Sequence, residues 1–480
     1  MNQAMLLYSR VFSRIRLGLL AMLPLAAGCA SYTSQTQNLR AVWSAGDYPA
    51  AAQIADTESA KSSSTDSVLW DLEAGASARA AGDTAGSVAA FNRADKLFDY
   101  WDTQPEISVS RETASLLVNP TVLPYRGTDY DRIMESTYQA LNYLQLGKFD
   151  EARVELNRGL ERQRTALRNN EDRIAKAQAA SAQSASDGGY NAQRAQQDPH
   201  FQQQMNQQIY GPLSALHSYE NYVNPFTTYL QGLCLLARPE SPADLESARV
   251  DFQRVRAMVG ASPALDADAD LATQIASGST LPPTTWVVFE TGTAPDRLET
   301  RIDIPLFIVS RDVPYVGVAF PLLKLNPLYD NGLVAQGAGG VPVRTSLVCD
   351  MDAVIALDFR NEMPDLVVKT LISAGAKAAA LYGIEAATNN DGNLVNSLVR
   401  IAGTVYQLGA NRADTRTWVT LPKQFQVCRL PTPADHKLYV ARAGTQESVE
   451  VDLPNTPVNL VYVKSSTIGS RLAITAFSLR

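Results

Sequence analysis

The stretch Ala140-Leu-Asn-Tyr-Leu-Gln-Leu-Gly147-Lys-Phe-Asp-Glu-Ala152-Arg-Val-Glu-Leu156 decides the fold class of the N-terminal half. Apolar residues recur three and four positions apart on both sides of Gly147, which is the spacing of two amphipathic helices. A glycine after the last helical turn adopts the left-handed conformation that ends a helix. The small side chains of Ala140 and Ala152 allow two antiparallel helices to approach closely. The stretch therefore predicts a helical hairpin.

Three further segments share this layout of a helix, a turn and a second helix. They cover residues 39–51, 70–94 and 229–252. The glycines of the first two turns, Gly46 and Gly82, are 36 residues apart, and Gly147 follows after 65 more, so the array is interrupted or contains a degenerate repeat. The layout resembles the tetratricopeptide repeat, whose period is about 34 residues. That resemblance implies a concave groove that binds a peptide or a protein; the alternative is a helical scaffold without a groove ligand.

Residues 165–212 interrupt the hairpins with Ala- and Gln-rich sequence in which apolar residues are sparse. Such a composition favours a solvated helical arm or a disordered insertion. The acidic run Asp266–Asp270 is not an EF-hand, because the loop would need Gly and Glu where Leu271 and Ser277 stand. We interpret it as the acidic N-terminal turn of a helix.

From Pro282 onward the chain consists of short runs of β-branched and aromatic residues, such as Trp286–Glu290, Tyr315–Phe320 and Val458–Val463. Runs spaced by roughly ten residues and separated by Pro, Gly and Asn turns favour a β-sandwich-like domain or an open barrel. A helical insertion at about residues 350–408 separates two groups of strands. The chain is therefore predicted to be an α+β multidomain protein.

The first 28 residues have the features of an export signal. Three arginines and no acidic residue precede the apolar run Leu17–Ala27, which is too short to span a bilayer as a helix. The run ends in Leu25-Ala-Ala-Gly-Cys29, which resembles the bacterial lipobox, with Ala26 where Leu is commonest. The resemblance implies lipidation of Cys29; the alternative is an ordinary signal peptide with a fortuitous cysteine.

The residues after Cys29 bear on location and partners. In enteric-type bacteria an Asp in the next position retains a lipoprotein at the inner membrane, so Ala30 suggests the outer membrane, with the protein facing the periplasm. Residues 29–38 are polar and predict a tether. Without the signal the chain has 39 basic and 49 acidic residues, a net charge of −10, which argues against nucleic acid or bare anionic lipid as the partner.

Three cysteines remain beyond Cys29. Cys234 lies in an apolar run and is most simply a core residue. Cys349 and Cys428 share the C-terminal half, and an exported protein meets an oxidising compartment. They form either a disulfide or two buried thiols.

No local sequence pattern indicates a catalytic or metal-binding site. The three histidines, His200, His217 and His436, share no motif. We therefore predict no catalytic residue, no metal site and no cofactor, and hence a protein that is not an enzyme. The segment around Asp414, Arg416 and Trp418 has the composition of an interface. We favour a structural role, in which Asp414 and Arg416 fix a turn and Trp418 covers the end of the sandwich.

Three segments carry a wider resemblance. They are Tyr130–Met134, Ala140–Leu156 and Ala413-Asp-Thr-Arg-Thr-Trp-Val-Thr-Leu-Pro422. Together they resemble a family of uncharacterised proteobacterial lipoproteins with tetratricopeptide-like helices and a β-rich C-terminal domain. The resemblance covers nearly all of the mature chain and implies no activity or catalytic residue. It implies a role in cell-envelope assembly, because some members are thought to be encoded near lipoproteins that activate peptidoglycan synthases.

The sequence as a whole predicts a signal peptide at 1–28, a tether at 29–38, a tetratricopeptide-like helical domain at 39–281 and a β-rich domain at 282–480. We expect an outer-membrane-anchored periplasmic lipoprotein that acts as a protein–protein adaptor or scaffold in envelope assembly or maintenance. The alternative from another class is a protein or enzyme that binds cell-wall or surface polysaccharide through the β-rich domain. A third hypothesis is a structural subunit of an envelope complex.

Overall fold

Helices occupy the N-terminal half of the computed structural model and strands most of the C-terminal half, so the predicted α+β class is confirmed. The structure describes residues 32–61, 65–104, 120–186, 191–216, 219, 223–305, 315–388 and 412–480. The export signal, Cys29, Ala30 and His217 lie outside these residues. So do residues 389–408 of the predicted helical insertion.

The helices that precede the strands are α1 (Tyr32–Gln35), α2 (Gln37–Ser44), α3 (Tyr48–Lys61), α4 (Ser67–Ala80), α5 (Thr84–Thr103), α6 (Asp129–Gln145), α7 (Phe149–Ser186), α8 (Ala192–Gln196), α9 (Pro199–Gln204), α10 (Pro225–Ala237), α11 (Pro242–Val259) and α12 (Pro263–Ala276). The strands and the helix among them are β1 (Thr284–Thr291), β2 (Asp296–Pro305), β3 (Tyr315–Lys324), β4 (Leu333–Gly337), β5 (Val343–Arg344), β6 (Ser346–Asp350), α13 (Met351–Thr388), β7 (Gln424–Pro431), β8 (Lys437–Arg442), β9 (Ser448–Asp452), β10 (Val458–Ser465) and β11 (Ala473–Ser478). Residues Leu39–Arg480 belong to one compact unit, and Met1–Asn38 to another.

Three turns between helices have the same backbone geometry. Gly46, Gly82 and Gly147 have positive φ angles of 75°, 87° and 70°. At each turn the glycine N–H donates to the carbonyl three residues earlier, and the next N–H donates to the carbonyl five residues before its own position. These are the two hydrogen bonds of a Schellman motif, which satisfies the last carbonyls of a helix. The predicted role of these glycines is confirmed.

The first helix of each of three hairpins, α4, α6 and α10, is buried on nearly all sides. Every residue is buried from Val68 to Ala78 in α4 and from Pro225 to Leu230 in α10. In α6 the same holds from Tyr130 to Asn142, except for the partly exposed Arg132. A helix apolar on one stripe alone would leave its opposite face in water. These helices are therefore covered both by their own hairpin partners and by a second layer.

That second layer is a five-stranded sheet in the order β11-β10-β1-β7-β6. Strand β1 pairs in parallel with β10, with Thr284 opposite Val458, and antiparallel with β7. Both β1 and β10 are buried at every position, as expected of strands that are covered on both faces. One face of the sheet meets the helices. The other shares an apolar core with a four-stranded sheet, β5-β4-β8-β9, through residues such as Phe289 and Val440.

The polar insertion at 165–212 is helical, which excludes the disordered alternative for the residues described there. Helix α7 continues to Ser186, and the chain returns through α8, α9 and a π-helical turn, Met205–Tyr210. The returning segment is not solvated throughout, because Phe201, Ile209 and Leu213 are buried. It contacts the β2–β3 hairpin, where the rings of Phe201 and Phe320 are 6.3 Å apart. These three apolar residues help to fix the segment, although most of it is polar.

In the described part of the predicted tether, residues 32–35 and 37–38 are helical and Thr36 lies in a turn between them. Helix α2 forms because Leu39 and Trp43, one helical turn apart, bury one of its faces. The described part of the insertion after β6 is the helix α13, which passes through Pro364 without ending. In the described part of the chain, no helix has the length and apolar character needed to cross a membrane.

Candidate functional site

The side of the hairpins on which a groove ligand was expected is occupied by the chain's own C-terminal half. The Glu73 carboxylate of α4 accepts hydrogen bonds from the backbone N–H groups of Val419 and Thr420, at 2.6 and 3.2 Å. In α10 the ring of Phe226 stacks on that of Phe425 in β7, with 3.9 Å between centroids. These helices therefore bind the C-terminal half of the same chain on the side where a free array of hairpins would offer a groove.

At the centre of this contact lies a buried ion pair between Glu290 of β1 and Lys464 of β10. Both side chains are almost fully withdrawn from water, at 1% and 6% exposure. The Glu290 carboxylate also accepts hydrogen bonds from the hydroxyls of Tyr138, at 2.9 Å, and Tyr462. The Lys464 ammonium lies 4.5 Å from the centre of the Trp43 ring, within the range of a cation–π contact.

Burial shifts the pKa values of the three side chains that contact Glu290. It lowers the pKa of Lys464, although the Glu290 carboxylate opposes the shift. It raises the pKa of both tyrosines well above the usual value, and the same carboxylate adds to that shift. The phenols are therefore protonated at neutral pH and act as donors. A buried carboxylate with three donors has the partners that compensate for its loss of hydration.

Arg79 of α4 lies at the edge of this cluster. Its guanidinium is 4.5 Å from the centre of the Tyr462 ring, and its Nη1 donates to Oδ1 of Asn142 at 2.8 Å. Its Nε is buried and makes no hydrogen bond with any residue that the structure describes. Arg79, Gln145 and Thr475 border a small pocket of about 350 Å³, part of which is open to solvent. We take this pocket and the ion pair behind it as the candidate functional site.

Compared with known protein families, curated proteins and solved structures, the chain has no match.

The segment at Asp414, Arg416 and Trp418 lies elsewhere and is largely buried. Arg416 is 4% exposed; it pairs with the carboxylates of Asp414 and Asp66, and its Nη1 donates to the Leu123 carbonyl at 2.9 Å. Asp414 and Arg416 thus form the expected pair. Trp418 lies against the helices rather than at the end of the sheets, as the next contacts show.

The indole N–H of Trp418 donates to the hydroxyl of Thr420 at 2.8 Å. Its ring centre is 5.9 Å from that of Phe91 in α5 and 5.8 Å from that of Tyr138 in α6. The segment therefore ties the β-rich half to three helices and to the loop before α6. The sequence suggested that Asp414 and Arg416 fix a local turn. In the structure the Arg416 guanidinium also donates hydrogen bonds to backbone carbonyls almost 300 positions earlier in the chain.

The disulfide considered between Cys349 and Cys428 is absent, and both residues are free buried thiols. The strands β6 and β7 are neighbours, but Cys349 lies opposite Phe425 and not Cys428. The Cys349 thiol contacts the Asn224 side chain on the helical face of the sheet. Cys428 belongs to the core on the other face. Thiols on opposite faces of a sheet cannot meet the geometry of a disulfide.

The histidines and the acidic run considered in the sequence analysis do not come together in one site. His200 is half exposed and lies 3.6 Å from Asp303, while His436 occupies a turn with a positive φ of 54°. Asp266 lies in the first turn of α12, as expected of a helix N-terminus. Among the residues that the structure describes, no group of three or more His, Cys, Asp or Glu side chains is placed to hold a metal ion.

The Glu290–Lys464 pair was missed at the level of sequence, although a signal for it exists. Each residue is the only charged residue in a strand that is otherwise apolar or uncharged, β1 in one case and β10 in the other. Strands of this kind are buried on both faces, and isolated charges in them require a partner. Opposite charges in two such strands therefore indicate neighbouring strands joined by a buried ion pair.

Proposed function

We propose that the protein is a lipoprotein anchored through Cys29 at the periplasmic face of the outer membrane, where it acts without catalysis as an adaptor or scaffold for other envelope proteins. The lipobox-like stretch that ends at Cys29 and the adjoining Ala30 support the anchor and the membrane. We further infer that the hairpins are tetratricopeptide-like and that the two larger sheets form a sandwich-like unit.

The repeat interpretation is supported by equivalent positions around the three glycine turns. The residue five positions after each glycine is small and fully buried, namely Ala51, Ser87 and Ala152. A small residue there lets the second helix of each hairpin approach the first. The same spacing, the same backbone hydrogen bonds and the same burial at three turns are what a degenerate repeat would retain.

The observation that carries the adaptor proposal is that the inner faces of the hairpins already bind the chain's own sheet. The second helix of each hairpin (α3, α5, α7 and α11), which we call an outer helix, is thereby held in place without a partner as part of a preformed surface. Three outer helices expose large apolar side chains: Tyr100 on α5 at 52%, Val154 and Leu167 on α7 at 56% and 39%, and Val250 on α11 at 48%. A preformed surface binds with less loss of conformational entropy than a mobile one. We therefore assign partner binding to the outer helices and not to the groove.

Photocrosslinking in living cells tests this assignment. A photoreactive phenylalanine analogue replaces Tyr100, Val154 or Val250 in turn, and Val341, an exposed residue between β4 and β5, serves as the matched control. We expect a discrete adduct with an envelope protein from at least one helical position and none from Val341. Adducts from Val341 alone, or from none of the four positions, would overturn the proposal.

Sedimentation with purified peptidoglycan separates the adaptor from the polysaccharide-binding alternative. We expect the protein to remain in the supernatant, because the adaptor binds protein. Specific co-sedimentation, abolished by substitutions in the β-rich half and unaffected by substitutions at Tyr100, Val154 and Val250, would favour the alternative.

A further inference from the structure

Two neighbouring loops of the β-rich half each expose a large apolar side chain. Leu328, in the loop between β3 and β4, is 63% exposed, and Ile468, in the loop between β10 and β11, is 60% exposed. The Thr467 hydroxyl donates a hydrogen bond to the carbonyl of Leu328 at 3.2 Å, which makes the two loops neighbours. Pro327 is exposed beside them. We call Pro327, Leu328 and Ile468 the apolar tip.

Hydrogen bonds to the buried Asp330 side chain hold the loops that carry the apolar tip. The buried Asp330 carboxylate accepts hydrogen bonds from the N–H of Gly469 at 3.2 Å and from the hydroxyl of Ser465 at 2.6 Å. It also pairs with Arg442 of β8 at 2.9 Å. Leu328 and Ile468 are therefore held in water on a rigid base. A rigid exposed apolar cluster is typical of a surface that another phase or molecule covers.

The apolar tip lies close to the N-terminal end of the compact unit. The Ser466 hydroxyl donates to the carbonyl of Trp43, and the Tyr48 hydroxyl donates to the carbonyl of Arg471 at 3.2 Å. Trp43 is four residues beyond Leu39, the first residue of the unit. Cys29 precedes Leu39 by ten residues, a length of chain that reaches at most about 35 Å.

We propose that the apolar tip rests on the lipid surface to which Cys29 is anchored. The inference relies on the proposed lipidation, because the short chain from Cys29 keeps this end of the unit close to the membrane. The net charge of −10 argues against an electrostatic attraction to anionic lipids, so apolar insertion is the contact that remains. This contact fixes the orientation of the protein, with the loops of the apolar tip at the membrane and the turn between β4 and β5 away from it.

A polarity-sensitive dye placed on each loop tests the orientation. The full-length lipidated protein is reconstituted into vesicles of phosphatidylethanolamine with a minority of phosphatidylglycerol. One variant carries the dye at Ile468→Cys, and the matched control carries it at Val341→Cys, an 82% exposed residue beyond the opposite end of β4. The native thiols Cys234, Cys349 and Cys428 are buried, so the dye labels the introduced cysteine.

We expect a blue-shifted emission and quenching by spin-labelled lipid for the dye at position 468, and neither for the dye at 341. Equal spectra at the two positions would overturn the inference. Incorporation of radioactive palmitate into wild type but not into Cys29→Ser is measured in parallel. If wild type incorporates no palmitate, the proposed anchor fails. If it does and the dye at 468 still reports water, only the orientation is wrong.

Discussion

Lys464 and Glu290 form a buried ion pair across the parallel strands β10 and β1, where they lie directly opposite each other in the register. Tyr138 joins the pair from helix α6, so the contact connects the helices to the sheet. Removing one member of a buried pair leaves the other charged and without its counterion, which costs far more than the pair contributes as a whole. Substitution of one member should therefore also weaken the packing of helix α6 on the sheet.

The first prediction concerns this pair. Lys464→Met leaves the Glu290 carboxylate with two phenols and no cation, and we expect a loss of about 3–5 kcal/mol in the free energy of unfolding. Lys437→Met is the matched control, because Lys437 pairs with Glu450 at the surface, where both side chains are 44% exposed. That variant should lose much less stability than Lys464→Met, because water and salt screen an exposed ion pair. Urea unfolding of the full chain measures both, and equal losses would contradict the prediction.

The double variant Glu290→Gln/Lys464→Met extends the test. Because it removes both charges, it should recover much of the stability that Lys464→Met loses. A double variant less stable than either single variant would show that the charges contribute mainly through other partners.

Local features of the fold could be predicted from sequence, and the contact between its halves could not. Gly147 and the small residues around it define a hairpin within 17 residues, because helix formation and glycine turns depend on neighbouring positions. The bond between Glu73 and the N–H of Thr420 joins residues 347 positions apart. No periodicity in either segment specifies the other, so the filling of the groove was not foreseen.

The same distinction explains the errors in the β-rich half. Alternation of residue types identified most strands, since it reflects which side chains are buried. The order of the strands depends on long-range pairing. The disulfide hypothesis failed for this reason. It paired Cys349 with Cys428 because both lie in the C-terminal half of the chain, whereas the alternation of side chains along the strands places them on opposite faces of the sheet.

A second prediction concerns pH. Burial raises the pKa of Glu135 from 4.5 to about 8, against the opposing effect of Arg162. An acid with a higher pKa in the folded chain binds more protons there than in the unfolded chain, so its contribution to the free energy of unfolding falls as the pH rises through this window. One such group changes stability by at most about 1.4 kcal/mol per pH unit.

Glu135→Gln removes the titrating group, so the decline in stability between pH 5 and about 8 should become less steep than in wild type. Glu161→Gln is the control, because Glu161 is exposed and its pKa is lowered by hydrogen bonds from Arg168 and Arg164. That variant should retain the wild-type slope in this range. Urea unfolding at a series of pH values measures the slopes, and identical slopes for wild type and Glu135→Gln would exclude the assignment.

The third prediction concerns the thiols. Burial raises the pKa of Cys234 to about 11 and that of Cys428 to about 12, and it raises the pKa of Cys349 as well. Because the thiolate is the reactive form, all three should react slowly with a disulfide reagent in the native protein. In denaturant without reductant, Cys29→Ser should show three reactive thiols. A single reactive thiol would indicate that two of the cysteines are joined.

The last prediction tests the close approach of α4 and α5. A Cβ atom on Gly75 would lie 2.6 Å from the ring of Phe91, and that ring cannot easily move because Tyr138 and Trp418 pack against it. Gly75→Ala adds the better helix former, worth about 1 kcal/mol, yet the overlap costs about 1–3 kcal/mol. We therefore expect a net loss of stability.

Shortening the opposing side chain should reveal the origin of that loss. In a Phe91→Leu background Gly75→Ala should cost less than in wild type, because the ring that it meets is gone. Gly147→Ala is the control, since its penalty arises from a positive φ of 70° in open space and should be the same in both backgrounds. Thermal and urea unfolding of wild type and the five variants decides between two causes. If Gly75→Ala costs the same in both backgrounds, backbone conformation and not the contact with Phe91 requires the glycine.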